Sequence, residues 1–466
     1  MNPHLAHQSI AVVGYGITGR ACVRFLLSKT ANVTVIDKRE DLANQILADM
    51  PDSAGSISIL GFRDDMDLSS FDWVILSPGV SPHQICFERY KSKQGRLIGD
   101  IELFALFNKT PLIGITGSNG KTTVTDMLGE CLRAAGLHIE LAGNYGKCAL
   151  DLLLDYPKEN GDTLDFIVLE LSSFQLEVCQ SLRLEVATIL NITEDHIDRH
   201  GSFENYKVAK QTIFDMTEAI VVNLGEDTSM PANQKKISAS VSLDNPVANF
   251  YLDQETGAVL HHSNSEQAAQ ALFNVNDMKL VGAHNYINAM TVLAICHHLH
   301  IDLCNPIEAL KTYGGLAHRF ELVSQNSKIT WINDSKATNV GACLAALKCF
   351  ENTHDELILV AGGDAKGTDL HPLKEALNNR VNQLIVFGKD AKQFILLCPS
   401  AIVVNTLEAA VSIAASHASQ SSAEKVTVLL SPACASLDMF ANYQQRGDVF
   451  RKAVLEQEAQ RNVANG

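Results

Sequence analysis

Residues 111–123 read Pro-Leu-Ile-Gly-Ile-Thr-Gly-Ser-Asn-Gly-Lys-Thr-Thr. A short apolar strand, a glycine-rich turn, a Lys-Thr-Thr triplet and an amphipathic helix over about 124–135 follow in that order. The pattern Gly114-x-x-x-x-x-Gly120-Lys121-Thr122 is a phosphate-binding loop with one more residue between its glycines than the usual spacing. Glycines let the backbone curl until several N–H groups face one anion, Lys121 adds a point charge, and the helix N-terminus adds its dipole. Thr122 has a hydroxyl placed to ligate Mg²⁺. Gly117, Ser118, Asn119, Gly120, Lys121, Thr122 and Thr123 are therefore expected to hold a nucleoside triphosphate. A ligand-free strand-to-helix turn is the alternative, and it does not account for strand, glycines, Lys-Thr and helix in the required order.

A second glycine-rich turn, Gly14-Tyr15-Gly16-Ile17-Thr18-Gly19, lies between the strand 10–13 and a helix to about Ser28. A further strand, 33–36, ends at Asp37, which completes a dinucleotide-binding fingerprint. Alone this favours NAD. It also fits glycines that serve only tight strand–helix packing, or a loop gripping another diphosphate such as a sugar nucleotide. The phosphate loop further along the chain raises the last option. The strand 73–76 runs into Ser77-Pro78-Gly79.

Polar clusters close other apolar runs. Gly143-Asn144 follows 139–141, Glu170-Leu-Ser-Ser-Phe-Gln175 follows 166–169, and Asn191-Ile-Thr-Glu-Asp195-His196 follows 187–190. Glu170 suits either a Mg²⁺ carboxylate or a cap for the next helix. His196 lies among Glu194, Asp195 and Asp198, where a solvated loop histidine is the ordinary expectation. Later clusters are Asn333–Asn339, Gly362–Gly367 and Ser431–Ser436. His297, His298 and His300 fall on different faces of a helix end, which reads as solvated and not as a metal site.

The elements that must position these groups alternate strand and helix along most of the chain, which implies α/β architecture with mostly parallel sheets. At 466 residues, more than one domain is expected. The reading is a Rossmann-like domain over 1–107, a central phosphate-loop domain over 108–316 and a second Rossmann-like domain over 317–466. Strands are expected at 329–332, 357–360, 383–387, 401–404 and 426–430, and helices at 338–350, 373–377, 407–417 and 437–457. The stretch from about 235 to 267 reads as a surface hairpin excursion.

Composition limits the partners. Hydrophobic residues make up 46% and aromatics 6%, as in a soluble globular protein. A formal net charge of −16 argues against a nucleic-acid or anionic-membrane binder. No apolar run approaches membrane-spanning length, the N-terminus does not read as a signal peptide, and eleven scattered cysteines lack paired spacing. Those features point to a cytoplasmic protein. An anionic substrate must then meet a local positive potential made from N–H groups, a few Lys and Arg, and metal ions.

Several motifs resemble those of the Mur ligases of bacterial cell-wall synthesis. They are the phosphate loop, Glu-Leu-Ser-Ser-Phe-Gln-Leu at 170–176, Asn-Ile-Thr-Glu-Asp-His at 191–196, Asn-Asp-Ser-Lys-Ala-Thr-Asn at 333–339 and Leu-Ser-Pro-Ala-Cys-Ala-Ser-Leu-Asp at 430–438. The last two, with Gly14–Gly19, resemble the branch of that family that adds D-glutamate. The resemblance implies that the carboxylate of UDP-N-acetylmuramoyl-L-alanine is joined to the amine of D-glutamate at the expense of ATP, through an acyl phosphate. It implies that Lys121 neutralises the β/γ-phosphates, and that Thr122, Glu170, His196 and Lys210 serve two Mg²⁺ ions, Lys210 as a carbamate formed with CO₂. Residue chemistry alone makes Lys210 a solvated helix lysine. Gly14, Gly16, Ile17, Thr18, Asp37, Arg39, Ser77, Pro78, Gly79, Asn144, Gln175 and His196 are implied at the UDP-sugar. Asn285, Arg319, Asp334 and Lys336 are implied at ATP, and Thr338, Lys366, Ser436 and Tyr443 at D-glutamate. Lys38 stands where a small polar residue is expected, and Tyr443 where the family often has phenylalanine. The implied protein is a monomer whose third domain closes on ATP. An NAD-dependent oxidoreductase, a different ATP-driven amide ligase such as a folylpolyglutamate synthase, and a non-catalytic nucleotide-binding protein are the competing readings.

Overall fold

The computed structural model describes residues 3–156, 163–226, 230–262, 268–280, 282–350 and 355–465. Each of three sheets is built from short apolar strands whose near-continuous Val, Ile and Leu content suits burial on both faces.

The first sheet contains β1 (Ser9–Val13), β2 (Asn32–Asp37), β3 (Ser58–Gly61), β4 (Trp73–Leu76) and β5 (Arg96–Gly99), in the order β3-β2-β1-β4-β5 and parallel throughout. Its helices are α1 (Ile17–Ser28), α2 (Leu42–Asp49), α3 (Ile85–Ser92) and α4 (Asp100–Phe107). Strand order reverses at β1, so the ends of β1 and β4 open the crevice where such sheets bind ligands.

The second sheet has nine strands, β14-β13-β12-β11-β10-β9-β6-β8-β7. They are β6 (Leu112–Thr116), β7 (Ile139–Gly143), β8 (Phe166–Glu170), β9 (Val186–Ile189), β10 (Ile220–Asn223), β11 (Ile237–Ser242), β12 (Phe250–Leu252), β13 (Ala258–His261) and β14 (Gln270–Asn274). Its helices are α5 (Lys121–Ala134), α6 (Ala149–Asp155), α7 (Ser173–Leu176), α8 (Ile197–His200), α9 (Phe203–Gln211), α10 (Ala283–His298) and α11 (Cys304–Thr312). The expected hairpin excursion is corrected here. β11 pairs in parallel with β10 and β12, so the segment extends the central sheet, and only β13 and β14 add antiparallel edges. Burial of Val241, Phe250 and Val259 against the helix side of the sheet makes these strands part of the core.

The third sheet is β15-β16-β20-β17-β18-β19, formed by β15 (Glu321–Gln325), β16 (Ile329–Asn333), β17 (Glu356–Gly362), β18 (Gln383–Phe387), β19 (Ile402–Val403) and β20 (Val426–Leu430). All neighbours are parallel except β15 with β16. Its helices are α12 (Val340–Lys348), α13 (Lys374–Arg380), α14 (Ala391–Leu397), α15 (Leu407–Gln420) and α16 (Tyr443–Asn465). The helix expected from residue 437 begins at Tyr443 instead, because the Asn442 carboxamide accepts from Gln445 N at 2.8 Å and caps it there.

By packing, the chain forms two compact units, one of Met1–Val281 with Asn285–Tyr313 and one of Gly282–His284 with Gly314–Gly466. The first unit holds the first two sheets, the second holds the third. Within the first unit the two sheets share a continuous core running from Leu5 to Val222. Their seam also carries a two-pronged ion pair, Arg24 Nη2 to both oxygens of Asp151 at 2.8 Å. Among the described residues no helix is long and apolar enough to cross a membrane. All eleven cysteines are free thiols.

Candidate active site

β6 ends at Thr116, and the glycine-rich turn leads into α5. Gly120 caps α5 in the left-handed region, φ 83°, which a residue with a Cβ rarely adopts. The turn is wired to the loop after β9. Asn119 N donates to Asn191 Oδ1 at 2.8 Å and Asn191 Nδ2 donates back to Asn119 O at 3.1 Å. Ser118 Oγ donates to Thr193 O and accepts from Thr193 N, both at 2.9 Å, and lies 2.9 Å from the Tyr206 hydroxyl. These contacts hold the turn in its anion-cradling shape. Asn191, Thr193 and Tyr206 carry roles that the sequence reading did not give them. Asn285 is buried near the start of α10.

Lys121, the first residue of α5, folds back so that Nζ donates to Gly117 O at 2.7 Å and Ser118 O at 2.9 Å. Lys210, on α9, is only 1% exposed, and its Nζ donates to Gly117 O at 2.9 Å. Burial, then the charge of Lys121, push its ammonium well below the usual lysine range, against the pull of Asp195 and Glu170. The solvated helix lysine expected from residue chemistry is thereby corrected.

Glu170 closes β8 and is 1% exposed. Asn144 Nδ2 donates to its Oε1 at 2.5 Å, while Oε2 is buried and has no hydrogen-bond partner among the described residues. A buried carboxylate oxygen without a donor suits a hard cation. Mg²⁺ takes one or two carboxylates and hydroxyls together with phosphate oxygens, so Glu170 and Thr122 fit it. No group of three His, Cys, Asp or Glu side chains able to hold a metal occurs among the described residues. His196 takes a left-handed conformation, φ 52°, ahead of α8, and its ring packs edge-on against Phe174 at 4.9 Å. Phe174 also stacks on His200 at 5.5 Å and lies under the Arg199 guanidinium at 4.9 Å. His297, by contrast, packs on His261 at 4.6 Å in the edge of the central sheet.

At the first sheet, α1 approaches β1 so closely that a Cβ on Gly19 would stand 1.9 Å from Gly14 O. Ser77 Oγ donates to that same carbonyl at 2.6 Å, which joins Ser77-Pro78-Gly79 to the Gly14–Thr18 loop. Asp37 accepts from Tyr15 N at 2.8 Å and is clamped by Arg39, Nε to Oδ1 at 3.0 Å and Nη2 to Oδ2 at 2.7 Å. The Arg39 guanidinium holds the Asp37 carboxyl well below the ordinary carboxylate range. A cleft of about 580 Å³ opens beside them, lined by Asp37, Lys38, Arg39, Leu42, Leu60 and Phe62. Lys38 Nζ sits 5.3 Å over the Phe62 ring. Gln175, expected at a sugar nucleotide, is 3% exposed, and both ends of its carboxamide are engaged, Nε2 by Asp100 and Oε1 by Ser172.

In the second unit, the loops after β16, β17 and β20 come together. Arg446, fully buried on α16, donates to Ser335 Oγ at 3.0 Å, Ser335 O at 2.7 Å and Cys434 O at 3.0 Å, and reaches Gly362 O at 3.5 Å. No sequence signal marked it. Asp334 accepts from Phe320 N at 3.2 Å and Ser431 Oγ at 3.0 Å, and burial pushes its carboxyl up to about 7. Lys336 Nζ lies 4.3 Å over the Tyr443 ring. Ser436 is buried in the same loop cluster, Thr338 precedes α12, and Lys366 sits at φ 51° in the turn after β17. Arg319 precedes β15.

Over 459 residues the chain is 36% identical to the UDP-N-acetylmuramoylalanine--D-glutamate ligase of Pseudoalteromonas translucida strain TAC 125, covering 97% of this chain and 98% of that relative. It is 37% identical over 454 residues to the enzyme of the same name in Escherichia coli K12, covering 96% and 98%. The chain belongs to the Mur ligase family. Three family models match it in order: "Mur ligase MurD-like, N-terminal domain" over 8–99, "Mur ligase middle domain" over 115–296, and "Mur ligase, glutamate ligase domain" over 318–434. Solved Mur ligases share the fold. MurF ligase from Thermotoga maritima in complex with ADP superposes with a TM-score of 0.60 at 15% identity, covering 97% of this chain and 96% of that one. UDP-N-acetylmuramate-alanine ligase MurC from the same organism gives 0.57 at 17% identity, covering 97% and 100%. In this Mur ligase the phosphate loop, Glu170 and Lys210 lie in the middle domain, and the Arg446 cluster in and just beyond the glutamate ligase domain.

Proposed function

We propose that the protein is an ATP-dependent, ADP-forming ligase that adds D-glutamate to UDP-N-acetylmuramoyl-L-alanine in peptidoglycan precursor synthesis. One observation carries the reading: two lysines converge on the phosphate loop beside the unpartnered oxygen of Glu170. It occurs in a chain related almost end to end to ligases named for that reaction. Residues 1–107 bind the UDP-sugar through the Gly14–Thr18 loop, Asp37, Arg39 and Ser77–Gly79. Residues 108–316 bind ATP through 117–123 and Asn285. Residues 317–466 supply Arg319, Asp334 and Lys336 toward ATP, and Thr338, Lys366, Ser436 and Tyr443 toward D-glutamate.

A free carboxylate is a poor acyl donor. Its oxygen attacks the γ-phosphorus and ADP leaves, giving an acyl phosphate. The amine of D-glutamate then attacks the acyl carbon, and phosphate departs from the tetrahedral intermediate. Lys121 and the N–H groups of the loop hold and neutralise the transferring phosphoryl group. Thr122 and Glu170 would hold one Mg²⁺ and His196 would serve a second, and the ions would supply charge neutralisation between anions that otherwise repel. Lys210 fits a carbamate: burial favours its neutral amine, which adds CO₂ and releases one proton, so that a neutral group becomes an anion. We place the protein in the cytoplasm as a monomer, a compartment that suits eleven free thiols.

The test is a phosphate-release assay in magnesium buffer with ATP, UDP-N-acetylmuramoyl-L-alanine and amino acids of both hands. Release with D-glutamate and not L-glutamate is the expected result. No ATP consumption with both substrates present would end the reading.

A further inference from the structure

The short helix α7 begins three residues after Glu170, and the first domain grips it at several points. Asp100, the first residue of α4, is buried, and its Oδ2 accepts from Gln175 Nε2 at 3.1 Å. Gln175 Oε1 in turn accepts from Ser172 N at 3.1 Å and Ser172 Oγ at 3.0 Å, completing a capping box with Ser172 Oγ on Gln175 N. Two residues further along α4, Glu102 Oε2 accepts from Gln180 N at 2.6 Å and Ser181 N at 2.8 Å. His83 and Arg199 both reach Glu177, at 2.6 Å and 3.3 Å. Upstream, Thr116 Oγ1 donates to Leu171 O at 2.7 Å. The backbone from Glu170 to α7 is thus fixed on one side by the phosphate-loop strand and on the other by a carboxylate of the first domain.

We propose that Asp100 is a positioning residue for the phosphate site, acting through Gln175 to set the turn that presents Glu170. The amide of Gln175 can satisfy Ser172 with its oxygen only if its NH₂ finds an acceptor in a buried place, and Asp100 is that acceptor. Without it, either the NH₂ is stranded or the carboxamide rotates and the capping box is lost. The residue also links the domain that holds the sugar nucleotide to the one that holds ATP. The inference rests on the ligase reading, in that Glu170 is taken to face Mg²⁺ there.

The test uses the full chain with Asp100→Leu, Asp100→Asn, Gln175→Leu and the double variant Asp100→Leu/Gln175→Leu. Two quantities are read: phosphate release with saturating substrates, and the MgCl₂ concentration for half-maximal ADP binding by calorimetry. Loss of a buried, charge-assisted hydrogen bond predicts that Asp100→Leu lowers kcat and raises the Mg²⁺ requirement by about tenfold each, with KM for D-glutamate unchanged. Asp100→Asn keeps an acceptor oxygen and should stay within about twofold. The double variant should be no worse than the worse single one, since both act through one contact. A wild-type Mg²⁺ requirement in Asp100→Leu, or additive losses in the double variant, would overturn the proposal. If Asp100→Leu does not fold, Gln175→Leu alone decides, because it cuts the same contact: an unshifted Mg²⁺ requirement there overturns it. Wild-type protein that binds Mg²⁺–ADP but releases no phosphate defeats the ligase reading separately, as the ADP titration needs no turnover.

Discussion

Lys121 and Lys210 donate to the same carbonyl, Gly117 O, at 2.7 Å and 2.9 Å. Burial first, and then the charge of Lys121, hold the Lys210 ammonium well below the usual lysine range. Under the proposed function the pair divides the work: Lys121 serves the phosphates, and the buried Lys210 amine is the one proposed to take up CO₂.

Lys121→Ala should lower phosphate release by at least about a hundredfold, the scale for losing one preorganised charge at a transferring group. A loop lysine contributes little packing, so unfolding free energy should change by no more than about 1 kcal/mol. Steady-state phosphate release and denaturant unfolding check the two halves. An active variant removes Lys121 from the chemistry.

Lys210→Ala should cut activity, with partial recovery when short carboxylates such as acetate or formate are added, because they would replace the anionic end of the proposed carbamate. The recovery should saturate with carboxylate concentration and fail with chloride at equal ionic strength. If neither the loss of activity nor the rescue appears, the carbamate reading fails and Lys210 is a structural lysine.

Gly19→Ala should separate the two nucleotide functions. Its methyl would stand 1.9 Å from Gly14 O, so α1 must move off β1. Overpacking of this kind costs about 1–3 kcal/mol. UDP-sugar binding, followed by intrinsic fluorescence, should be lost while Mg²⁺–ADP binding persists. Equal loss of both would mean that the first domain does not fold around this contact alone.

His284 gives a pH prediction for the second unit. Its Nδ1 lies 3.3 Å from Cys349 Sγ, its ring packs edge-on to Phe320 at 5.7 Å, and burial pushes it down to about 4 from an ordinary 6.5. Between those values the unfolded chain takes up a proton that the folded chain does not. Stability from this group is therefore present above about 6.5 and lost as pH falls toward 4, by up to about 3 kcal/mol. Asp334, raised to about 7, works in the opposite sense, since its folded form holds the proton. The comparison of His284→Phe with wild type isolates the histidine: the variant should lose less stability between pH 7 and pH 5 in denaturant titrations. Parallel losses would mean that the ring is not kept neutral.

Much of this was legible because the relevant information is local. The phosphate loop joins residues contiguous in the chain, and glycine, lysine and threonine each declare a backbone or charge requirement. The Gly14–Gly19 fingerprint is local in the same way, although its residues alone fit NAD, another diphosphate or mere strand–helix packing. Lys210 was not legible from its own neighbourhood: Tyr206-Lys-Val-Ala-Lys210 reads as an exposed turn of helix until the loop it packs against is in place. Asp100 and Arg446 were invisible for the same reason, since their partners lie 75 and 111 residues away. Strands β11–β13 were misread because short, polar, alternating sequences suit both a surface hairpin and a sheet margin. Only the apolar surface of Phe250 and Val259 against the core distinguishes the two.

Arg446 grips three loops mainly by their main-chain oxygens, at Ser335, Gly362 and Cys434. Carbonyls are present whatever the side chain, so the frame survives exchange of most residues mounted on it. Redesign aimed at a different incoming amino acid can accordingly vary the tips of those loops one at a time, provided the arginine beneath them is left alone.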